Sequence, residues 1–598
     1  MKIKFFFKSV IVLLLIVNLS KADDKIKRID KSTWVESNES RPGYAPFNLN
    51  QEPCVFINTL APAFQTDAYL IGPEILTANS GFYDYKTNGE TNHYLQVDPA
   101  NPLLYNAIDV QADSLDATGV TSRRTFYSVS IDGGLTWERL GQVPEIRSGY
   151  PVLKLKASKA IIANHSTASG ILNVNLYEDI VPQGGAFNQY NGTSPGGIWA
   201  QIAVLGNGNA VVLSRPQHIT GSDFDTLFYQ TWNGTVMGPK SILYVSEPPY
   251  IGTVGSNLKF NIATNGAGRV TVAINSILED DTLGNSKVWQ RTSTDNGATW
   301  GPLELVFTPY LDGNDTIAVA GGCDLVYKQN SNEWYYSFAA SANGLYSTGR
   351  IYVVKSDGTR STVTTSAAVG STSDYYKAMA FVYSIDQPSM GFSSDGSVLY
   401  CVYSVVKPDT GASGFNSRDI YYQRSIDNGL TWGIPVQITN TPDIDECYPS
   451  VSDWNKSSPY DLNFTYMKDA GVGPASFNGS SALAPPSRNF QIFRKVSDAN
   501  VIGISNNQTD LNDFRLNQNY PNPFNPTTTI GYNLVKNGFV TLKIYNTLGR
   551  EVKTLVNEFQ QSGLKEISFN ASDLSSGVYF YRITTGGFSD LKKMMLIK

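Results

Sequence analysis

The chain has 598 residues, of which 41% are hydrophobic and 16% charged, so it can bury a large core and is not a disordered chain. Its net charge of -6 and its lack of a basic block argue against nucleic acid as a partner. The many tyrosine, phenylalanine and glycine residues favour strands joined by tight turns.

The first 22 residues are typical of a secretory signal peptide. A lysine-rich start precedes an apolar run, Val10 to Leu19, that is too short to span a membrane comfortably. Small residues at Ser20 and Ala22 occupy the positions that a signal peptidase reads, so we predict cleavage after Ala22. A membrane anchor is the alternative. No later stretch of the sequence is apolar and long enough to span a membrane.

One octapeptide occurs three times, at Ser130 to Trp137, Ser293 to Trp300 and Ser425 to Trp432. Each copy has the pattern S-x-D-x-G-x-T-W, whose chemistry is that of a tight turn. The carboxylate accepts bonds from nearby backbone N–H groups, the glycine permits positive φ, and the tryptophan packs on a sheet. We interpret the following residues as structural: Asp132, Gly134, Thr136, Trp137, Asp295, Gly297, Thr299, Trp300, Asp427, Gly429, Thr431 and Trp432.

The octapeptide resembles the Asp-box of bacterial neuraminidase (BNR) repeats, and the region from 67 to 503 therefore resembles a sialidase-like β-propeller. Four strands recur around each copy with a period of roughly 60 residues, as expected for propeller blades. The pattern favours seven blades, with six as the alternative. The phrase Gly72 to Leu76 is similar to the last strand of other blades, so we expect an N-terminal strand to close the last blade. Residues 23 to 66 form a separate N-terminal segment.

The four cysteines show no spacing typical of a metal site. Cys323 and Cys401 lie in apolar strands and are expected to be buried thiols. Cys54 and Cys447 could form a disulfide if the N-terminal segment closes the last blade. The run Asp312 to Asp315 offers oxygen ligands for calcium but is too short to be specific, so no metal or cofactor is assigned.

A polar linker, residues 504 to 515, precedes a C-terminal region with alternating strand patterns, residues 516 to 598. The phrases Asn519 to Pro526, Thr541 to Val552 and Ser575 to Arg582 resemble the type A sorting domain of type IX secretion cargo. This resemblance implies that the secretion machinery is a partner and that the chain reaches the cell surface or the medium. A small β-sandwich binding module is the alternative.

Propellers of the sialidase-like kind bind ligands on the face opposite the octapeptide turns, where loops can vary on a rigid scaffold. Each charged residue taken alone is more often a solvated loop residue than a ligand contact. We predict a ligand-binding face from residues that fall on this side: Arg147, Arg215, His218, Asp223, Glu279, Asp445, Glu446 and Tyr448, with His165 also there.

The sialidase resemblance implies three arginines for a substrate carboxylate, a tyrosine nucleophile with a glutamate partner, and an acidic general acid/base. The Arg-Ile-Pro phrase that carries the first arginine is missing, and the catalytic residues cannot be assigned. Three hypotheses remain. The favoured one is a propeller that binds glycan or protein without catalysis. The others are a glycoside hydrolase with a diverged pair of carboxylates and a structural surface protein.

Overall fold

The computed structural model describes these residues: 69–87, 93–117, 119, 121–167, 171–216, 226–245, 258–276, 287–312, 314–342, 348–371, 384–412, 414–457, 460–473, 485–498, 515–516, 519, 522–534, 536–547, 550–561, 563–585 and 588–597. The signal peptide, the N-terminal segment, Cys54, His218, Asp223 and Glu279 lie outside this described part. The described part is all-β apart from a 3₁₀ turn at Ser114–Asp116. None of its helices is long and apolar enough to cross a membrane.

The described residues between 69 and 498 form seven sheets, which we number in chain order. The first sheet contains β3 (Leu95–Val97), β4 (Tyr105–Gln111), β5 (Arg124–Ser130) and β6 (Glu138–Gln142), and the second contains β7 (Ser148–Lys156), β8 (Lys159–Ser166), β9 (Asn173–Asp179) and β10 (Phe187–Tyr190). The third sheet contains β11 (Gly197–Val204), β12 (Ala210–Pro216), β13 (Thr226–Trp232) and β14 (Ser241–Val245). The fourth sheet contains β15 (Lys259–Thr264), β16 (Val270–Ser276), β17 (Lys287–Ser293) and β18 (Glu304–Phe307).

The last three sheets contain these strands: β19 (Tyr310–Asp312), β20 (Asp315–Tyr327), β21 (Trp334–Ala342), β22 (Arg350–Lys355) and β23 (Arg360–Thr365); β24 (Ile385–Ser393), β25 (Leu399–Thr410), β26 (Asn416–Ser425), β27 (Val436–Gln437) and β29 (Trp454–Asn455); β28 (Asp445–Val451), β30 (Tyr460–Asp469) and β31 (Asn489–Asp498), joined by β1 (Tyr69–Ile71) and β2 (Ile75–Gly81).

The sheets follow one another around a propeller. The inner strands β3, β7, β11, β15, β20, β24 and β28 contact their neighbours in that order, and β28 contacts β3. Each sheet is packed between two others, so apolar clusters fill the interfaces; one joins Val152 and Leu176 of the second sheet to Ile202 and Val212 of the third. This packing explains why many strands are apolar on both faces rather than alternating.

The seventh sheet is built from both ends of the propeller segment. Strands β28, β30 and β31 come from its C-terminal end, whereas β1 and β2 come from its N-terminal end. Both pair antiparallel with β31, with Tyr69 opposite Asp498 and Ile75 opposite Phe493. The strand expected after Gly72 is therefore β2, and it covers what would otherwise be an exposed edge of β31.

The three octapeptide turns fasten neighbouring sheets. In the first turn the Asp132 carboxylate accepts from the backbone N–H of Thr136 (2.9 Å) and from its hydroxyl (2.5 Å). These bonds lower the pKa of Asp132 to about 2. The turn glycines have positive φ and face side chains of the preceding sheet; a Cβ on Gly297 would lie 2.5 Å from Val211. Each turn is therefore stabilised by its own hydrogen bonds and also packs against the neighbouring sheet.

A polar cluster links several inner strands of the ring. His93 Nε2 lies 3.0 Å from Asp324 Oδ1, and His93 Nδ1 lies 2.9 Å from Asp453 Oδ1. Lys154 binds the same Asp453 carboxylate at 2.7 Å, and Asp324 also accepts from the backbone N–H of Met390 at 2.7 Å. The cluster therefore joins strands from several sheets through two carboxylates.

The described residues from 515 onward form a sandwich of two sheets with one apolar core. The strands are β32 (Arg515–Leu516), β33 (Thr527–Leu534) and β36 (Gly563–Asn570) in one sheet, and β34 (Gly538–Asn546), β35 (Glu551–Gln560), β37 (Gly577–Thr585) and β38 (Phe588–Leu596) in the other. In β34, Val540, Leu542 and Ile544 are buried and alternate with less buried residues, which is the pattern of a strand with one face on a core.

Candidate functional site

The structure brings two of the predicted arginines, Arg147 and Arg215, to the surroundings of His165. His165 lies near the end of β8 and Arg215 near the end of β12, so both belong to strands rather than to loops. Arg147 precedes β7 and donates to the carbonyl of Gly119 at 3.2 Å. The guanidinium of Arg215 lies over the ring of Trp199, 4.9 Å from its centroid.

The centre of this region is a third arginine, Arg123, which the sequence patterns did not single out. Arg123 is 6% exposed and donates to the carbonyl of Ser148 (3.0 Å) and the hydroxyl of Tyr83 (2.9 Å). Its guanidinium also lies 5.0 Å from the ring centroid of Tyr150. Among the described residues, no carboxylate forms an ion pair with Arg123. We call Arg123, Arg147, His165 and Arg215 the cationic pocket.

His165 is held uncharged within the cationic pocket. Burial, and then the charges of Arg123 and Arg147, lower its pKa well below the usual range. Its Nε2 faces a guanidinium nitrogen of Arg123 at 3.2 Å, and its Nδ1 faces the backbone N–H of Trp199 at 3.3 Å. Both neighbours can only donate, whereas a neutral imidazole offers one acceptor nitrogen. The pocket therefore holds more donors than acceptors.

Tyrosines line the same pocket. The hydroxyls of Tyr83 and Tyr150 lie 3.1 Å apart. Burial, more than the neighbouring Tyr83, raises the pKa of Tyr150 well above its usual value. A protonated phenol can donate a hydrogen bond or a proton to a bound ligand. Tyr85 packs edge-on against Tyr150, with ring centroids 6.1 Å apart, and is partly exposed.

A glycine makes room for the central cation. A Cβ on Gly149 would lie 2.5 Å from a guanidinium nitrogen of Arg123 and 2.6 Å from its central carbon. Gly149 is opposite His165 in the pairing of β7 with β8. The missing side chain therefore lets the guanidinium lie flat on the inner strand beside the imidazole.

The inner strands near the pocket are irregular. Register shifts interrupt the pairing of β7, β11, β20, β24 and β28 with their neighbours. Four of these bulges place a residue other than glycine at positive φ: Tyr150 at 48°, Trp199 at 57°, Gln387 at 58° and Tyr448 at 55°. Bulges of this kind re-aim a side chain.

The predicted acidic residues do not join the cationic pocket. Asp445 and Glu446 are buried in β28 rather than on a loop before it. Arg418 binds both carboxylate oxygens of Asp445, at 2.7 and 2.6 Å, and its guanidinium lies 5.5 Å from the ring centroid of Tyr448. Glu446 lies 3.2 Å from Lys468, and burial raises the pKa of Glu446. These carboxylates are occupied by partners on neighbouring strands.

No group of side chains suited to hold a metal ion occurs in the described part of the chain. In the run considered for calcium, the Asp312 carboxylate accepts from Arg350 at 2.8 Å. Cys323, Cys401 and Cys447 are buried thiols, and Cys54, the expected partner of Cys447, lies outside the described residues.

Sequence reasoning missed Arg123, Tyr83, Tyr150 and Trp199. The available signal was an aromatic or amide residue followed by proline in three inner strands, at Tyr150, Gln387 and Tyr448. This repeated phrase marks equivalent bulges.

Residues 518–598 match the model of the secretion system C-terminal sorting domain. The chain is therefore exported by type IX secretion to the cell surface or the extracellular space. A search of curated protein sequences returned no match.

Solved structures similar to this chain include several propellers. An ulvan lyase of polysaccharide lyase family PL25 has 10% identity and a TM-score of 0.45, covering 69% of this chain and 97% of its own. A protein of unknown function from Dyadobacter fermentans has 14% identity and a TM-score of 0.32, and the match covers 70% of this chain and 98% of that protein. A Trypanosoma rangeli sialidase has 11% identity and a TM-score of 0.29, and the match covers 73% of this chain and 60% of the sialidase. Likenesses at this level carry no argument about function.

Proposed function

We propose that this exported propeller binds an acidic glycan, with an anionic group of the sugar held in the cationic pocket. The observation that carries the proposal is Arg123, a buried guanidinium whose described partners are a carbonyl, phenols and an imidazole rather than a carboxylate. A buried charge without a counter-ion is costly, and a carboxylate or sulfate matches the guanidinium fork.

The surrounding residues support a sugar as the carrier of that anion. Trp199, Tyr85 and Arg147 are partly exposed and lie beside the buried Arg123 and Tyr150. Aromatic rings offer apolar faces to a sugar ring, while phenol and guanidinium groups bind its oxygens. The export of the chain is consistent with a polysaccharide outside the cell as ligand.

The test compares binding of the full chain to acidic and neutral polymers by calorimetry: polygalacturonate, hyaluronan and chondroitin sulfate against dextran. We expect at least one acidic polymer to bind, more weakly at high salt, and dextran not to bind. Arg123→Gln should weaken binding about 10- to 100-fold because it removes a charge-assisted contact.

Arg291→Gln is the matched control. Arg291 likewise donates to carbonyls, those of Gly301 and Leu243, but it is only partly buried and lies in the fourth sheet away from the pocket. Equal binding of acidic and neutral polymers, or equal losses in the two variants, would contradict the proposal.

A second candidate is a lyase reaction on the same ligand, favoured by the uncharged state of His165. When Arg123 turns from His165 to a uronate carboxylate, the neutral imidazole regains a free acceptor nitrogen and can take the proton next to that carboxylate, while guanidinium groups stabilise the enolate that forms. The electron pair then forms a carbon–carbon double bond, the glycosidic C–O bond breaks, and the protonated Tyr150 gives its proton to the leaving oxygen. The two-carboxylate hydrolase has no such support, because the described residues place no pair of carboxylates in the pocket.

The polymers from the binding experiment also test this candidate. A lyase forms a product with a new double bond, which absorbs ultraviolet light, and His165→Gln should abolish that product. Binding without any such absorbance would leave the propeller as a binding protein.

A further inference from the structure

The four residues at positive φ in the inner strands call for an explanation beyond closure of the ring. A residue other than glycine in a sparsely populated backbone region costs about 1–3 kcal/mol. Three of the four, Tyr150, Gln387 and Tyr448, precede a proline, which favours an extended conformation in the preceding residue. The local sequence therefore opposes the conformation that the structure adopts.

Ring closure does not require these bulges. The inner strands β3 and β15 pair with their neighbours without any register shift. In β20 the bulge contains Gly321 and Gly322, and the Asp386 carboxylate accepts from the backbone N–H of Gly322 at 2.7 Å. A bulge that only satisfies the backbone can therefore be built with glycine, so the four larger residues serve to aim their side chains.

The four bulge residues, together with His165 and Tyr85, form one continuous row. The backbone N–H of Trp199 lies 3.3 Å from His165, whose ring centroid is 5.4 Å from that of Tyr150. The ring centroid of Tyr150 is in turn 6.1 Å from that of Tyr85, which packs on the apolar cluster that contains Tyr448. The backbone N–H of Tyr448 donates to Gln387 Oε1 at 3.0 Å. We call Trp199, Tyr150, Tyr85, Tyr448 and Gln387 the bulge row. It passes from the third sheet to the sixth.

The two ends of the bulge row differ in chemistry. At one end Trp199 lies against Arg215 and the cationic pocket. At the other end, Gln387 Oε1 accepts from Tyr448 N–H and from the Ser404 hydroxyl, both at 3.0 Å, which fixes the direction of the amide. No described residue accepts from its Nε2, so this group can donate to a sugar hydroxyl. The nearby Arg418 is neutralised by Asp445 and adds no free charge.

We propose that the bulge row binds an acidic oligosaccharide rather than a single sugar. The anionic residue lies against Trp199 and Arg215, and a further residue of the same chain lies over Tyr448 and Gln387. This inference rests on the proposed function, and it adds the length and the direction of the ligand.

The experiment measures the Kd of the full chain for oligomers of galacturonate and of hyaluronan with one, two and four residues. We expect the four-residue oligomer to bind at least about tenfold more tightly than the single residue, since more of the row is engaged. Trp199→Gly should weaken the binding of all lengths alike, because it removes the ring against which the anionic sugar residue lies. Gln387→Gly should weaken the binding of the four-residue oligomer and leave the affinity for the single sugar unchanged.

Glycine is chosen because it adopts positive φ without strain, so each variant removes a side chain without adding a backbone cost. Asn428→Gly is the control, because Asn428 also has positive φ, 61°, but lies in an octapeptide turn. This variant should bind every oligomer as tightly as the unaltered chain does. Unfolding midpoints check that all variants are folded.

Affinity that does not depend on length, or a Gln387→Gly loss equal for one and four residues, would overturn the inference while leaving the proposed function intact. If no acidic oligomer or polymer binds, both fall together.

Discussion

At the scale of single residues, the space left by Gly149 decides where Arg123 can lie. The backbone of Gly149 does not have positive φ, so alanine can adopt its conformation, and any effect of Gly149→Ala comes from the added methyl group. Because that methyl group would meet the guanidinium, we expect Arg123 to be displaced and the affinity for an acidic polymer to fall about tenfold. Calorimetry on the full chain measures this loss.

A double-mutant cycle is the control for this prediction. In an Arg123→Gln background the added methyl group has no guanidinium to displace, so Gly149→Ala should cause little further loss. Additive losses in the double variant would show that Gly149 acts on something other than Arg123.

The residue types in the cationic pocket could be predicted only in part. Arg147, Arg215 and His165 fall at positions that any four-stranded blade turns towards one face, so periodicity finds them. Arg123 donates to Tyr83 and faces His165, which lie 40 and 42 residues away. Sequence patterns do not encode such contacts. Asp445 was predicted on a loop of the ligand-binding face, but it lies in β28, where Arg418 of the preceding sheet binds it.

At the scale of elements, each octapeptide turn needs its glycine for two reasons, positive φ and close packing against the neighbouring sheet. Gly297 has φ 79° and Gly358, in the fifth sheet, has φ 83°, but a Cβ on Gly358 would meet no atom within 4 Å. Gly358→Ala therefore measures the backbone cost alone, about 1–2 kcal/mol. Gly297→Ala adds the clash with Val211, and overpacking of a core costs about 1–3 kcal/mol more. Urea unfolding measures both.

The clash has its own control in Val211→Ala. Removing the Val211 methyl groups should recover part of the loss caused by Gly297→Ala, because the two groups occupy the same space. Equal destabilisation by Gly297→Ala and Gly358→Ala would mean that the turn does not fasten the third and fourth sheets.

Elements differ in how much of them the sequence reveals. The repeated octapeptides and the apolar strands around them suffice to expect a propeller, since turn chemistry and strand period are local. The bulges are not local features. Tyr150 and Tyr448 lie in runs typical of regular strands, and only the proline after each of them signals a bulge. Which side chains these bulges bring together could not be predicted.

At the scale of the whole molecule, the cluster around His93 makes stability depend on pH. Although burial and Lys154 act in the opposite direction, Asp324 and Asp453 raise the pKa of His93 to about 9. Asp324 is fully buried, whereas the Asp453 side chain is 37% exposed and is screened by water, so we assign the larger effect to Asp324.

A folded-state pKa above the unfolded value stabilises the fold below the unfolded pKa of about 6.5, and this contribution disappears as the pH rises through about 9. The shift corresponds to roughly 3 kcal/mol. We expect the free energy of unfolding to fall between pH 7 and pH 9, as measured by urea titration at each pH.

His93→Gln isolates this contribution. The variant should be less stable than the unaltered chain at pH 6, and the gap should narrow steadily towards alkaline pH. A gap that stays constant with pH would show that His93 is not charged in the folded protein.

The pairing of β2 with β31 also sets an order of events during synthesis and export. Ile75 can pair with Phe493 only after more than 400 intervening residues have been synthesised and exported. The ring therefore stays open until the last sheet forms. Every intermediate length of chain therefore leaves strand edges uncovered. The sorting domain comes after β31, so a chain that carries it already contains every strand needed to close the gap. Because the sorting domain follows β31, its presence identifies a chain that is able to complete its ring.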